Sequence, residues 1–205
     1  MRKPKLRELK EAVRAFFQGP YTTKFPKVPS VPAERYRGKP KYYEDDCVGC
    51  GACAEVCPAG AIELQDERRR GSSGIRRLIL HYDICHFCGQ CEANCITEKG
   101  IKLSLEYDLA TYDRTETVES VEKELLFCEL CGAPVTTVDH LKWLAKKLGP
   151  LAFSNQALIL ASHKELALVD ETAPRDKRPT WRTDYMRILC PRCKREVIFT
   201  EEWGG

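Results

Sequence analysis

Two runs of four cysteines share one spacing and constrain this chain more than any other feature. The first run is CVGCGACAEVCP, residues 47–58, and the second is CHFCGQCEANC, residues 85–95. Both follow the pattern C-x2-C-x2-C-x3-C. A helix cannot direct four side chains at this spacing to one point, and disulfides between them would close very small, strained loops. The spacing therefore predicts loops wrapped around a multi-iron cofactor.

The internal repeat makes the prediction more specific. The run C-x2-C-x2-C-x3-C-P binds [4Fe–4S], and in two-cluster proteins its fourth cysteine ligates the other cluster. This rule predicts two clusters, here named cluster A and cluster B, with crossed ligand sets. Cluster A takes Cys47, Cys50, Cys53 and Cys95, and cluster B takes Cys57, Cys85, Cys88 and Cys91. A [3Fe–4S] variant or zinc is the alternative.

The second run departs from the pattern at its end. Ile96 stands where the first run has Pro58, and the segment ITEKG is one residue longer before Ile101. Cys95 is therefore the predicted ligand that fits the pattern least well. In both runs a glycine, Gly51 or Gly89, follows the second cysteine, where we expect the backbone to pass close to a cluster.

Composition limits the setting of the protein. The chain has 205 residues, twelve of them cysteine, and a net charge of +3. Its first residues, MRKPKLRELKEAVRAFF, contain no apolar signal core, and no apolar run approaches the length of a membrane span. Metal-ligand spacing without an export signal predicts the reducing cytoplasm, where disulfides are rare.

Residues 1–46 are predicted to be a docking segment. Leu6, Leu9, Val13, Phe16 and Phe17 form an apolar stripe on a helix over 5–17, which Gly19-Pro20 ends. The segment holds 12 Lys or Arg against 6 Asp or Glu. Such a helix suits a membrane surface or a groove on a partner, unless it packs on its own domain. Five prolines between residues 20 and 46 predict an extended arm laid over a neighbour.

Residues 47–115 are predicted to form a ferredoxin-like unit in an α+β fold. The segment between the two cysteine runs indicates a hairpin, with strands near 61–67 and 75–81 around a Gly/Ser turn. After this unit, we expect residues 118–126 to be helical.

The remaining four cysteines form two C-x2-C pairs in a C-terminal extension, residues 116–205. These are Cys128, Cys131, Cys190 and Cys193, predicted to hold structural zinc in a zinc-ribbon-like or rubredoxin-like site. A single iron, or two unrelated pairs, is the alternative. The long insert between the pairs reads as helices, TVDHLKWLAKKLG with Thr137 as its cap and then SNQALILASHKELALV, followed by the polar link DETAPRDKRPTWR.

Other charged and polar residues carry weaker signals. The segment RRRGSSGIRR adds five arginines, which permit nucleic acid, an anionic membrane or an acidic subunit as partner, or a solvated basic face. The four histidines, His81, His86, His140 and His163, show no ligand spacing and are expected to be surface or packing residues.

A family resemblance rests on three segments: ERYRGKPKYYEDDCVGCGACAEVCPAGAIEL, the second cysteine run, and EYDLATYDR. Over roughly residues 5–115, the chain resembles the two-cluster ferredoxin-like subunit shared by respiratory complex I and the energy-converting NiFe hydrogenases, including formate hydrogenlyase and membrane-bound hydrogenases. The cysteine-paired extension looks more like the hydrogenase-type members.

The resemblance implies an electron relay on the cytoplasmic side of the membrane, peripheral to it. Such a subunit passes electrons from an input module to a cluster-bearing small subunit beside the catalytic one, and it has no catalytic residue or small-molecule substrate of its own. The rival interpretations are a free soluble ferredoxin-type carrier and a zinc-ribbon nucleic-acid-binding protein, for which aromatic stacking residues are sparse.

Overall fold

The computed structural model describes residues 5–19, 22–69, 73–166 and 187–199. The chain divides into two compact units, Met1–Tyr36 and Arg37–Gly205. The first unit contains helix α1 (Leu6–Gln18). The strands of the second are β1 (Pro40–Tyr42), β2 (Ile62–Arg68), β3 (Ser73–His81), β4 (Ile101–Leu103), β5 (Val118–Phe127) and β6 (Pro134–Thr137). Its α-helices are α2 (Ala52–Glu55), α3 (Gln90–Ala93), α4 (Val138–Leu148), α5 (Gln156–Glu165) and α6 (Pro191–Phe199), with 3-10 turns at Arg114–Glu116 and Gly149–Ser154.

Helix α1 confirms the helix predicted near the N-terminus. It ends at Gly19, whose φ of 74° is unfavourable for residues with a side chain. All five residues of the predicted apolar stripe are exposed, and the exposed fraction reaches 87% for Leu6 and 84% for Phe16. The stripe is thus an apolar surface of the first unit.

In the described part of the second unit, the strands form two antiparallel sheets. Strands β2, β3, β5 and β6 form a four-stranded sheet in that order, and β1 pairs with β4 in a two-stranded sheet. The predicted hairpin is confirmed as β2 and β3, with Leu64 opposite Leu78. Most of its Gly/Ser turn lies outside the described residues. The mixture of short helices and sheets agrees with the predicted mixed α and β architecture.

The helix expected over residues 118–126 is wrong, because this segment is strand β5. It pairs with β3 from Val118 to Leu126, and Val121 lies opposite Leu78. Burial alternates along β5 as in a strand with one face on the core. Two charged residues, Glu119 and Lys123, occupy inward positions and hide the alternation of apolar residues in the sequence. Pairing with β3 overrides the local preference of a Glu- and Lys-rich segment for helix.

Part of the proline-rich arm, residues 20–46, belongs to a sheet of the second unit. Its residues 40–42 form strand β1, and Pro40 pairs with Leu103 while Tyr42 pairs with Ile101. Pro40 is among the most deeply buried side chains of the chain. The expectation that the whole arm lies outside a core is therefore wrong for these residues, because proline at the first position of an edge strand leaves the ladder intact.

Within the extension, helix α4 packs against β5 and β6. Thr137 caps α4 as predicted, since its hydroxyl accepts a hydrogen bond from the His140 N–H at 3.3 Å. Leu126, Leu141, Leu158 and Ile188 form one buried cluster. The second predicted helix is confirmed as α5 over Gln156–Glu165. The polar link predicted over residues 170–182 lies outside the described residues.

Candidate metal centres

One cavity is bordered by the first three cysteines of the first run and the last cysteine of the second. Its empty volume is about 300 Å³. Its cysteines are Cys47, Cys50, Cys53 and Cys95. Tyr42, Leu78 and Ile101 supply apolar wall. We name it cavity A.

A second cavity has the reciprocal composition, and we name it cavity B. Its empty volume is about 350 Å³. Its cysteines are Cys57, Cys85, Cys88 and Cys91. Pro40, Ile62 and Leu80 supply apolar wall. The fourth cysteine of each run thus borders the cavity formed by the other run, and Cys95 is grouped with the first run despite its altered surroundings.

The two cavities lie side by side along the same strands. On β3, Leu78 borders cavity A and Leu80 borders cavity B. On β1, Tyr42 borders cavity A and Pro40 borders cavity B. Residues two apart on a strand are separated by roughly 7 Å. Leu78 and Leu80 belong to one buried core, which also contains Cys47, Cys53 and Cys91.

Matching turns bring the third cysteine of each run into its cavity. Gly51 (φ 83°) precedes α2 and Gly89 (φ 79°) precedes α3, and both adopt the left-handed conformation that favours glycine. Cys53 and Cys91, the second residues of these short helices, are buried. A Cβ added at Gly51 would lie 2.8 Å from the Leu64 side chain. Turn geometry and packing against the sheet explain why both runs have glycine here.

Burial holds most of these thiols in their protonated form when no metal is bound. Burial raises the pKa of Cys53 to about 12 and that of Cys91 to about 11. Burial likewise raises the pKa of Cys47, Cys50 and Cys85. Thiolates are the metal ligands, so metal binding must displace these protons and strengthens as the pH rises. A soft metal centre is the partner that makes four converging buried sulfurs favourable.

Cys95 is the exception among the cavity cysteines. Burial raises its pKa, but the Thr97 hydroxyl and backbone N–H groups of Thr97, Gly100 and Ile101 outweigh burial and lower it. The Thr97 Oγ1 lies 3.3 Å from the Cys95 Sγ and accepts the Gly100 N–H at 3.0 Å. Its own proton is therefore available to the sulfur. The lengthened ITEKG segment thus supports the Cys95 sulfur with several donors.

Other sulfurs also receive hydrogen bonds. The Ala61 N–H donates to the Cys57 Sγ at 3.2 Å, and the Phe87 N–H donates to the Cys85 Sγ at 3.4 Å. The Tyr42 hydroxyl lies 3.8 Å from the Cys53 Sγ. Such donors tune the potential of iron–sulfur clusters. Sequence reasoning missed Tyr42 and Thr97, because neither belongs to a cysteine motif.

The four remaining cysteines also converge. The sulfurs of Cys128, Cys131, Cys190 and Cys193 all lie within 4.8 Å of one another, and those of Cys131 and Cys190 are 3.7 Å apart. Metal–sulfur bonds of about 2.3 Å in a tetrahedron separate the sulfurs by roughly 3.8 Å, so the set fits a tetrahedral metal ion. The second pair stands at the start of helix α6. We name this set the four-cysteine site.

Backbone N–H groups lower the pKa of one thiol of the four-cysteine site. Burial raises the pKa of Cys128, but N–H groups of Cys131, Cys190 and Leu130 outweigh burial and lower it to about 7. The Cys128 thiol therefore loses its proton more readily than an ordinary cysteine. Burial raises the pKa of Cys193, whose thiol must lose its proton when metal binds.

The histidines have other surroundings. His81 lies 3.6 Å from Glu63, and His140 Nδ1 lies 2.8 Å from the Thr136 hydroxyl. His86 borders cavity B. The side chain of His163 lies outside the described residues. None of the helices in the described ranges has the length and apolar character needed to cross a membrane.

Comparison with known families identifies the cysteine-rich region. Residues 46–99 match the family model described as a 4Fe-4S dicluster domain. The chain is 28% identical over 99 residues to NAD(P)H-quinone oxidoreductase subunit I of Gloeobacter violaceus, a match that covers 47% of each chain. The chain thus spans about half the length of this relative.

Another relative matches most of the chain. Formate hydrogenlyase subunit 6 of Escherichia coli is 27% identical over 184 residues, covering 88% of this chain and 94% of the relative. NADH-quinone oxidoreductase subunit I 2 of Geobacter metallireducens is 29% identical over 127 residues, covering 60% of this chain and 96% of the relative. Among solved structures, a chain of the archaeal membrane-bound sulfane sulfur reductase is 28% identical, with a TM-score of 0.39 over 57% of this chain and 61% of that one.

Proposed function

We propose that this chain, a homologue of formate hydrogenlyase subunit 6 and NADH-quinone oxidoreductase subunit I with a 4Fe-4S dicluster domain, is an electron-transfer subunit of a membrane-associated oxidoreductase complex. The single observation that carries the proposal is the pair of adjacent cavities, each bordered by four cysteines. Each [4Fe–4S] cluster supplies one-electron redox chemistry when bound.

We assign the crossed ligand sets to the two cavities. Cluster A is held by Cys47, Cys50, Cys53 and Cys95, and cluster B by Cys57, Cys85, Cys88 and Cys91. The support is that each cavity is bordered by one complete set. The residues Leu78, Leu80 and Ile101, each at most 2% exposed, exclude water from the core between the cavities. Tyr42 and Thr97 support the sulfurs on the cluster A side.

We assign a structural zinc ion to the four-cysteine site. Four thiolates at tetrahedral separation suit zinc and leave no open position for a substrate, so this site stabilises the fold and carries out no catalysis. A single iron in a rubredoxin-like site is the competing occupant, because it takes the same ligands.

The partners are other subunits of such a complex. The relatives' names supply the two candidate classes, a formate hydrogenlyase and a quinone oxidoreductase. Because the match to the hydrogenlyase subunit covers 88% of the chain, it includes much of the extension, whereas the match to the Gloeobacter subunit spans only 99 residues. This favours the hydrogenase-type complex, with a cluster-bearing small subunit and a membrane-arm subunit as neighbours.

We assign a separate role to each of three segments of the chain. Residues 1–46 dock on neighbours at the cytoplasmic side of the membrane, residues 47–115 carry the clusters, and residues 116–205 form the metal-binding extension. The exposed apolar stripe of α1 supports a docking role for the first segment.

Purification from the native cell tests the proposal. A tagged chain, isolated anaerobically from gently solubilised membranes, should bring a cluster-bearing subunit and a membrane subunit with it. A chain that is recovered alone from the soluble fraction, with both clusters, would instead be a free ferredoxin-type carrier. Binding to nucleic acid that weakens steeply with salt would favour the third interpretation.

A further inference from the structure

The loop that begins the first cysteine run is hydrogen-bonded by side chains of strands β3, β5 and β6 of the four-stranded sheet. Three carbonyl groups of this loop, residues 44–49, accept hydrogen bonds from such side chains. Glu44 O accepts from Lys123 Nζ at 2.6 Å, Val48 O from the Thr137 hydroxyl, and Gly49 O from Arg76 Nη1 at 3.4 Å. Two of the donors, Lys123 and Thr137, belong to β5 and β6 of the extension.

Thr137 joins the extension to this loop most closely. Its side chain is fully buried, and its hydroxyl both donates to Val48 O and accepts the His140 N–H that caps α4. A Cβ added at Gly49 would lie 3.0 Å from Thr137 Cγ2 and from Lys123 Cβ. The loop backbone therefore packs directly against the middle of β5 and the end of β6.

Lys123 contributes an ion pair and a hydrogen bond to the same contact. Its side chain is only 12% exposed and its ammonium group lies 3.1 Å from Asp139 in the first turn of α4. The ammonium group is thus held by α4 while it donates to Glu44 O. A half-buried, paired lysine that also donates to a backbone carbonyl fixes position more strongly than a fully exposed ion pair.

The four-cysteine site lies at the other end of the same hairpin. Cys128 directly follows β5, and Cys128 and Cys131 lie in the turn that leads to β6. The Cys128 N–H donates to Ala133 O at 2.7 Å, and Leu125 pairs with Thr137. A metal bound to this turn therefore holds together the two strands that carry Lys123 and Thr137.

The second cysteine pair ties this hairpin to the end of the described chain. The Glu129 N–H donates to Ile188 O at 3.0 Å, and Ile188 is 1% exposed. The loop of the second run has a different anchor, since Cys88 O accepts from the exposed Arg37. Side chains of β5 and β6 thus donate to carbonyl groups of residues 44–49. Near the second run, the described hydrogen bonds of the extension reach Tyr82, which precedes Cys85.

We propose that the extension is a metal-locked shield over cluster A: metal at the four-cysteine site holds the β5–β6 hairpin and α4 against residues 44–49 and so excludes water and oxygen from that cluster. This rests on the proposed function for the presence of cluster A. The contact between the extension and the loop does not depend on the cluster, so the two proposals can fail separately.

Amide hydrogen exchange on the full chain tests the shield. In the double variant C190S/C193S, amides of residues 46–53 should exchange about tenfold faster or more, since each lost hydrogen bond changes an opening equilibrium by roughly that factor. Amides of residues 85–91 should keep their wild-type rates. Equal exchange rates at residues 46–53 in variant and wild type would overturn the shield. Equal acceleration at residues 46–53 and 85–91 would also overturn it, because that result indicates general destabilisation of the fold.

Single substitutions separate the contact from stability of the hairpin. Thr137→Val removes at nearly constant volume both the hydrogen bond to Val48 O and the cap of α4, and it should accelerate exchange at residues 46–53. Exchange in the first turn of α4 reports the loss of the cap separately, and Thr137→Ser should restore protection at both places. The matched control is Thr136→Val on the same strand, whose hydroxyl contacts His140 and not the loop. Acceleration of these amides by the control as large as that by Thr137→Val would overturn the assignment to Thr137.

Oxygen sensitivity gives an independent readout on the cluster-loaded chain. The electron paramagnetic resonance signals of the two clusters are first assigned with Cys50→Ser and Cys88→Ser. In C190S/C193S, exposure to air should destroy the signal of cluster A several-fold faster than in wild type, with cluster B unchanged; equal lifetimes in variant and wild type would overturn the shield. If the wild-type chain takes up no iron, the proposed function fails, whereas the exchange experiment still decides whether the shield exists.

Discussion

Individual cysteines are grouped in the structure by the cavity they border and not by the run to which they belong. Cys57 belongs to the first run but borders cavity B, and its sulfur accepts the Ala61 N–H. Cys95 belongs to the second run but borders cavity A. The cysteine spacing predicted this grouping only through the rule that, in two-cluster proteins, the fourth cysteine of each run ligates the other cluster. The sequence around Cys95 departs from the usual pattern, since Ile96 stands where the first run has proline.

Replacement of Cys57 tests the exchange of ligands. Cys57→Ser should damage cluster B and leave the spectrum of cluster A intact, because cavity A keeps its four cysteines. Iron content should fall from about eight toward about four per chain. Cys50→Ser is the matched control and should have the opposite effect. Electron paramagnetic resonance of Cys57→Ser that shows cluster A altered and cluster B intact would refute the crossed ligand sets.

Thr97 should set part of the reduction potential of cluster A. A hydrogen bond to a ligand sulfur stabilises the more negative, reduced state, so Thr97→Val should lower the potential of cluster A. One hydrogen bond is worth about 1 kcal/mol, which corresponds to tens of millivolts for one electron. Thr115→Val, at an exposed threonine bonded to Asp113, is the control. An unchanged potential in a redox titration would show that the Thr97 hydroxyl does not act on the sulfur.

At the scale of secondary structure, residues with polar roles were hardest to predict. The hairpin β2–β3 and the helices α1, α4 and α5 follow from periodicity, turns and caps. Strand β5 does not, because Glu119 and Lys123 point inward. Glu119 accepts the Tyr42 N–H at 2.8 Å and the Tyr82 hydroxyl, so its partners lie far along the sequence. A sequence pattern records hydrophobicity but not such distant partners.

Helix α1 should be needed for assembly but not for the clusters. Deletion of residues 1–18 should leave iron content unchanged and release the chain from membranes or partner subunits. Burial of apolar side chains such as Leu9 and Phe16 is worth roughly 1.5–3 kcal/mol each, of which only part appears as affinity. Attraction by the basic residues should weaken with salt.

Point substitutions make this test independent of the deletion. Leu9→Asp with Phe16→Asp should release the chain, whereas Lys10→Ala, outside the stripe, should have a smaller effect. Sedimentation with membranes and iron analysis are the measurements. Full retention of the deleted chain in the complex would contradict docking through α1, and loss of iron would mean that the helix packs on the cluster-bearing domain.

At the scale of the whole molecule, the sequence predicted the metal-binding segments but not how the extension meets the cluster region. The contact between Thr137 and the loop at Val48 joins residues 89 positions apart. Neither residue belongs to a motif, and the closeness of Gly49 to both strands appears only when the sheet is formed. The helical insert was predicted from its cap and periodicity, because those signals are local.

Metal analysis of the full chain, prepared anaerobically, tests whether both cavities hold clusters. The chain should contain about eight irons in two [4Fe–4S] clusters, with a matching amount of sulfide, and one zinc. A value of no more than about four irons would contradict the two-cluster assignment, because one of the two four-cysteine cavities would then hold no cluster.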